Sequence, residues 1–167
     1  MSVVDLEKLY AIAGGEAERL AVELCGLTVV LDDNFTIDNF LADKNMALEN
    51  RQEILRAMMA EASGLLKELT ELLLKEGLWR RLRVIKDDFV VLVEKKLGIR
   101  FAELRSAFPL APDVLKLIKD KLGPNVRYNL VEDKGLLGGF IVTFNDGKTL
   151  DASVRGKLEQ IRMEIAR

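Results

Sequence analysis

Two pairs of adjacent carboxylates, Asp32-Asp33 and Asp87-Asp88, are the first candidates for chemistry in this chain. General acid–base work needs two carboxylates that converge across a cleft. Neighbours in sequence diverge, so turn and helix-surface roles are the reading for both pairs. Gly138-Gly139 invites comparison with a phosphate cradle, but no Gly-x-Gly-x-x-Gly pattern or P-loop Lys-Ser/Thr pair follows. Glycines entering a strand more often mark a bulge or a close backbone approach. Arg80-Arg81-Leu82-Arg83 beside Trp79 is a basic cluster with too little aromatic interleaving for RNA; a solvated face or an acidic partner surface fits it better. Cys25, the one cysteine, sits in the apolar run Leu24-Cys25-Gly26-Leu27 and reads as a small core residue. Met46, Met58 and Met59 read as core packing. There is no histidine. That removes the usual general base and the commonest metal ligand, and with one cysteine it excludes zinc sites of the Cys/His type. No catalytic residue, cofactor site or metal site is expected.

The elements that would position these groups follow from composition and period. The chain has 167 residues, 49% hydrophobic and 31% charged, with net charge −2. That is an ordinary globular balance, and it gives no bulk attraction for nucleic acid. The charge is uneven. Residues 1–50 hold three basic against ten acidic residues, net −7, and the remainder carries +5. An acidic front and a mildly basic back suggest surfaces for different partners. A lone cysteine fits a reducing compartment. No segment approaches the length of a membrane span, and the N-terminus lacks the marks of a signal or transit peptide.

Residues 1 to about 98 read as a helical bundle of about six helices. Leu6, Leu9, Tyr10 and Ala13 recur at helical spacing before Gly14-Gly15. A helix from about Glu16 to Leu31 carries Leu20, Leu24 and Leu27. Thr36 is expected to cap a short helix through Phe40 and Leu41. Leu48, Ile54, Leu55, Met58 and Met59 follow, then Ser63 as an N-cap. Leu65, Leu66, Leu69, Leu72 and Leu73 form the next apolar stripe, and Gly77 ends that helix as a left-handed residue. A last long helix places Leu78, Leu82, Ile85, Phe89, Leu92 and Val93 on one face and stops at Gly98.

From 99 to 167 the period changes, and a small α+β domain is expected. Phe101–Phe108 reads as a strand, and Pro112 opens a short helix with Val114, Leu115, Ile118 and Leu122. Val126, Tyr128 and Leu130 alternate as a second strand. Leu137–Phe144 is the third, before the turn Asn145-Asp146-Gly147. Asp151 or Ser153 caps a closing helix whose inner face is Val154, Leu158, Ile161 and Ile165. The fold class is mainly α, with a short sheet confined to the second domain.

Several blocks of this chain resemble the delta subunit of F-type ATP synthases, the family of the mitochondrial oligomycin-sensitivity-conferring subunit. Ala102 through Leu110 is similar to the family's A-E-V-T-S-A-x-P-L, and Asp133 through Gly139 to its D-x-x-L-I-G-G. Asp151 through Leu158 looks like D-G-S-V-R-G-x-L, with Ala152 in place of the usual Gly. Ser63 through Leu78 resembles S-P-E-V-x-N-F-L-x-L-L-x-E-N-G-R, with Leu78 in place of the basic residue. The opening R-Y-A-x-A-L-F-x-L-A is echoed by Leu9-Tyr10-Ala11-Ile12-Ala13. The signature positions are Gly138, Gly139, Asp151, Ser153, Arg155, Gly156 and Leu158.

The resemblance implies a non-catalytic stator subunit. Its bundle would bind the N-terminal helix of an alpha subunit, and its C-terminal domain would bind the peripheral-stalk b subunits. One copy would sit in the hetero-oligomer, at the cytoplasmic face of the membrane, without entering the bilayer and without nucleic acid. The stripes of leucine suggest where the alpha helix lies: a groove lined by Leu6, Leu9, Tyr10, Leu66, Leu69 and Leu73. Two alternatives carry weaker support. The E-type stalk subunit of vacuolar and archaeal ATPases also ends in a Gly-Gly strand and closing helix, but it has a long charged N-terminal helix that this chain lacks. A helical-bundle RNA-binding factor would need a basic bundle.

Overall fold

The structure is a computed structural model and describes residues 5–165. The chain divides into two compact units, Met1–Lys96 and Leu97–Arg167.

In the first unit, α1 (Leu6–Ala13) starts at Asp5, whose carboxylate accepts the Lys8 amide at 3.2 Å. A 3₁₀ turn at Gly14–Glu16 leads into α2 (Ala17–Asp33), which buries Ala17, Leu20, Ala21, Leu24, Leu27, Thr28 and Leu31 at helical spacing. Next, α3 (Phe35–Ala42) begins one residue earlier than its expected cap. Thr36 lies inside it, because the Asn34 carbonyl already accepts the amides of Ile37 and Asp38 at 3.0 and 3.1 Å. No orphan donor needs the threonine hydroxyl there.

In α4 (Leu48–Met58) Leu55 is buried, as is Met59 just past its end. Arg51 is buried too, and donates to the Leu41 carbonyl at 3.3 Å, which places its charge at the negative end of α3.

Ser63 caps α5 (Gly64–Lys75), its hydroxyl accepting the Leu66 amide at 3.3 Å. Its own amide and hydroxyl donate to Glu23 of α2, which ties the two helices together. The buried stripe of α5 is Leu66, Leu69, Thr70, Leu73 and Leu74. Leu72, expected inward, is exposed. At about 100° per residue the stripe centres between Thr70 and Leu73, so Leu74 turns in and Leu72 turns out. The helix ends as the sequence predicts. Gly77 has φ +66, its amide reaches the Leu74 carbonyl at 3.1 Å, and the Leu78 amide reaches the Leu73 carbonyl at 2.8 Å. This paired closure requires a left-handed residue at position 77.

Leu78 does not begin the long helix. A 3₁₀ turn at Trp79–Arg81 intervenes before α6 (Leu82–Leu97). That turn drives Trp79 into the core, where its indole N–H donates to Asp38 at 2.9 Å. Leu82, Ile85, Phe89, Val90 and Val93 form the buried face of α6. Arg83 answers Asp32 at 2.6 Å and Asp38 at 3.0 Å, linking α6 to α2 and α3.

In the second unit, β1 (Arg100–Ser106) follows Gly98, and α7 (Pro112–Leu122) crosses over to β2 (Val126–Glu132), which pairs parallel to β1. β3 (Phe140–Phe144) runs antiparallel on the other side of β1, and β4 (Thr149–Asp151) closes a hairpin with it. The strand order is β2-β1-β3-β4. Leu104 sits opposite Leu130 and Val142. With Ala102 and Ile118 of α7, Leu104 and Val142 form the buried centre, flanked by Leu115, Leu122, Tyr128, Phe140 and Phe144. The sequence missed β4, whose three residues, Thr149, Leu150 and Asp151, are too few to establish a period. β3 begins at Phe140, not Leu137, because the chain is still turning through Gly139.

The last helix, α8 (Val154–Ile165), forms where expected but buries none of its residues. Val154, Leu158, Ile161 and Ile165 are exposed, Leu158 at 54%. The expectation that they close over the sheet is therefore corrected. The covered face of this narrow sheet is filled by α7, through Ile118, Leu115 and Leu122.

Candidate functional site

Each unit leaves apolar surface uncovered. In the first unit one cleft runs between α1 and α6, about 370 Å³, lined by Leu6, Glu7, Asp88, Val91, Leu92 and Lys95. Its walls are stitched by Lys96, which reaches Glu7 at 3.2 Å and lies 5.8 Å from the centre of the Tyr10 ring. Val91 remains 53% exposed beside the cleft. A second hollow of about 440 Å³ lies on α2, α3, α4 and the start of α5. Leu27, Val30, Ile37, Met58, Met59 and Leu66 line it, with the Glu23 carboxylate at its edge.

The six residues expected to form a groove divide between these places. Leu6 borders the α1–α6 cleft, and Leu9 and Tyr10 are half-buried on α1. Leu66 borders the second hollow. Leu69 and Leu73 are buried, Leu73 at 1% exposure. Neither cleft is lined by all six, because the leucines of α5 are committed to the bundle's own core. The residue that sequence reasoning passed over is Val91. The run Val90-Val91-Leu92-Val93 carried the signal. Four consecutive apolar residues span most of a helical turn, so they cannot all face one core.

In the second unit the signature positions converge at the joint between the sheet and α8. Gly139 has φ +79, and a Cβ there would lie 2.3 Å from the Ala152 carbonyl oxygen. The Gly138 carbonyl accepts the Val154 amide at 3.0 Å, and the Phe140 carbonyl accepts the Ala152 amide at 2.9 Å. Asp151 accepts the Ser153 amide at 2.8 Å, and the buried Ser153 hydroxyl accepts the Gly156 amide at 3.0 Å. Asp151 and Ser153 thus share the capping role that the sequence left open between them. A Cβ on Gly156 would meet the Asp151 carboxylate at 2.6 Å. Hydrogen bonds from Ser153 hold the Asp151 carboxyl below its ordinary pKa. Arg155 and Leu158 point away from this knot. Arg155 reaches Glu159 at 3.3 Å on the exposed face of α8, and Leu158 is open.

The carboxylate pairs do structural work. Asp32 holds Arg83, and Asp87 pairs with Lys86. Among the described residues no group of three or more His, Cys, Asp or Glu gathers to hold a metal, and no helix is long and apolar enough to cross a membrane.

The chain joins a helical bundle to a small α+β unit, and each leaves an apolar face uncovered. Residues 8–165 match the model of the family described as ATP synthase delta (OSCP) subunit. The chain belongs to this family, a non-catalytic peripheral-stalk component of F-type ATP synthase. It is similar to the protein named ATP synthase subunit delta of Streptococcus mutans serotype c, with 28% identity over 86% of this chain and 82% of that protein. The protein of the same name from Trichormus variabilis is 25% identical over 96% of this chain and 91% of its own length. The Corynebacterium urealyticum counterpart is 28% identical over 93% of this chain, which spans only 58% of that longer protein. The family places the protein in a complex with other ATP synthase subunits, peripheral to the membrane that holds it.

Proposed function

We propose that this protein is a clamp between the catalytic head and the peripheral stalk, holding the head against rotor torque. The bundle takes the N-terminal helix of an alpha subunit, and the second unit takes the ends of the b subunits. One copy serves each complex, on the cytoplasmic face of the membrane. The bundle is residues 1 to about 98, and the stalk-binding domain follows it.

The observation that carries this reading is that each unit leaves helical apolar surface uncovered while completing its own core. On the bundle this is the α1–α6 cleft with exposed Val91. On the second unit it is α8, with Val154, Leu158, Ile161 and Ile165 exposed at spacings of four, three and four. That spacing is the seam of a helix that packs against another helix. The family supplies the names of the two partners.

The α1–α6 cleft is the better seat for the alpha helix than the second hollow. It is formed by two helices and follows α6 from Asp88 to Lys95, about 10 Å at 1.5 Å per residue. A nanomolar joint needs about 12 kcal/mol. An amphipathic helix laid along such a cleft supplies much of that by burial. Glu7 and Asp88 at the rim favour a partner helix bearing Lys or Arg, chiefly by speeding encounter.

The test is calorimetric titration of the full chain with two synthetic peptides from the same organism, the alpha N-terminus and the b C-terminus, singly and together. Both should bind, and each should bind in the presence of the other. Failure of either to bind at micromolar concentration, or competition between them, refutes the clamp.

A further inference from the structure

The attachment of α8 is unlike that of α7, which packs Ile118 into the core of the same unit. Helix α8 buries none of its residues, so no core fixes its direction. Among the described residues, the hydrogen bonds that tie it to the sheet lie at its first turn and the strand ends beneath. The Gly138 carbonyl takes the Val154 amide, Asp151 takes the Ser153 amide, Ser153 takes the Gly156 amide, and Gly139 lies under Ala152 with no room for a Cβ.

We infer that this knot aims α8, and that Gly139, Asp151, Ser153 and Gly156 are positioning residues for the docking surface that α8 carries. The argument is geometric. A helix held by a core resists tilting along its whole length. A helix held at one end is as well directed as that end is rigid. Gly139 makes the end rigid by letting two backbones touch, which any side chain prevents. Ser153 and Asp151 then satisfy the first amides, so the first turn keeps one orientation on the sheet. Gly156 completes the knot. Alanine would be the stronger helix former at this position, but its Cβ would displace the Asp151 carboxylate.

On this view Gly139, Asp151, Ser153 and Gly156 touch no partner. They decide where Val154, Leu158 and Ile161 are presented. The inference rests on the stalk-docking reading only for what α8 meets, not for how it is aimed.

The test uses the full chain with Cys25→Ala and spin labels at two exposed positions, Lys116→Cys on α7 and Gln160→Cys on α8. Wild type and Gly147→Ala should give one narrow distance distribution. Gly147 also has positive φ, +82, but it stands in open space away from the knot, so it controls for backbone strain. Gly139→Ala should lose the single peak while helicity by circular dichroism is kept. If Gly139→Ala does not fold, the double variant Asp151→Ala/Ser153→Ala decides, because it removes two acceptors without adding bulk. A narrow peak in the knot variants, a broad one in wild type, or equal broadening in Gly147→Ala overturns the inference. No partner takes part in this measurement. Titration with the b peptide then separates the two claims. If wild type fails to bind it, the stalk reading falls while the aiming result stands.

Discussion

Val91→Asp is the sharpest test of where the bundle meets its partner. The side chain is 53% exposed on α6 beside the α1–α6 cleft, so the folded protein has little to lose. An exposed substitution of this kind shifts stability by about 0.5 kcal/mol or less. The cost appears on binding. Covering a valine that is already half-buried gains roughly half of its full burial, about 0.8 kcal/mol. A carboxylate there forfeits that gain and must be stripped of water beside Glu7 and Asp88, which adds at least about 1 kcal/mol. Lys95, one turn on, can meet the new charge and keeps the desolvation cost at this low end, so the sum is about 2 kcal/mol. That corresponds to roughly a 30-fold weaker Kd for the alpha peptide. The companion variant is Val30→Asp. Val30 is 47% exposed and lines the other hollow. It should cost the same in stability and nothing in binding. Calorimetry gives both affinities, and Trp79, the single tryptophan, is buried in the bundle and reports whether each variant remains folded. If Val30→Asp loses the peptide while Val91→Asp keeps it, the helix docks on the α2–α5 hollow and the reasoning from cleft shape is wrong.

Leu73→Ala and Leu158→Ala form a matched pair. Leu73, 1% exposed, should cost about 2–5 kcal/mol, and Leu158, 54% exposed, about 0.5 kcal/mol or less; urea unfolding of each variant measures this, and equal costs would mean α8 is packed after all. Gly77→Ala should destabilise the bundle by about 1 kcal/mol or more, because φ +66 is strained for alanine and its Cβ would press on Lys44; the same unfolding experiment reads it. The Asp151 carboxyl has its pKa lowered in the fold, so its contribution is present above the unfolded value near 3.8 and is lost as pH falls through the lower folded value. Acid titration of the full chain, followed by amide exchange at Ser153, should show this amide opening only as pH falls below the ordinary carboxylate value, and Asp151→Asn should remove that dependence.

What the sequence made legible were features whose cause is local. Ser63 caps, Gly77 closes and Pro112 opens their helices because each answers to a few neighbouring amides or carbonyls. The strand at Val126–Glu132 was legible because Val126, Tyr128 and Leu130 alternate. Illegible were the choices made by competition between elements. Thr36 looked like a cap only because the Asn34 carbonyl's part in closing the first turn cannot be read from residue types. α8 shows the same limit more sharply. Val154, Leu158 and Ile161 have the spacing of an inner face, and spacing says only that a face is apolar. Whether the chain covers that face depends on how much sheet α7 has already taken, which is a property of the whole unit.

The same competition explains where docking surface comes from. α5 has more leucines than the bundle can bury, and Leu72 is left outside. In α6 the run of four apolar residues puts Val90 and Val93 in the core and leaves Val91 exposed and Leu92 half-buried. In the second unit α7 fills the sheet and leaves α8 bare. A residue left outside a finished core weakens nothing in the free protein, so it can be committed to a partner without loss of stability. Substitutions at Leu73 and Phe89 should therefore act through folding, whereas those at Val91 and Leu158 should act through assembly alone. A clamp of the kind proposed gains from that separation, because its partner would load the docking face while the cores beneath it keep their shape.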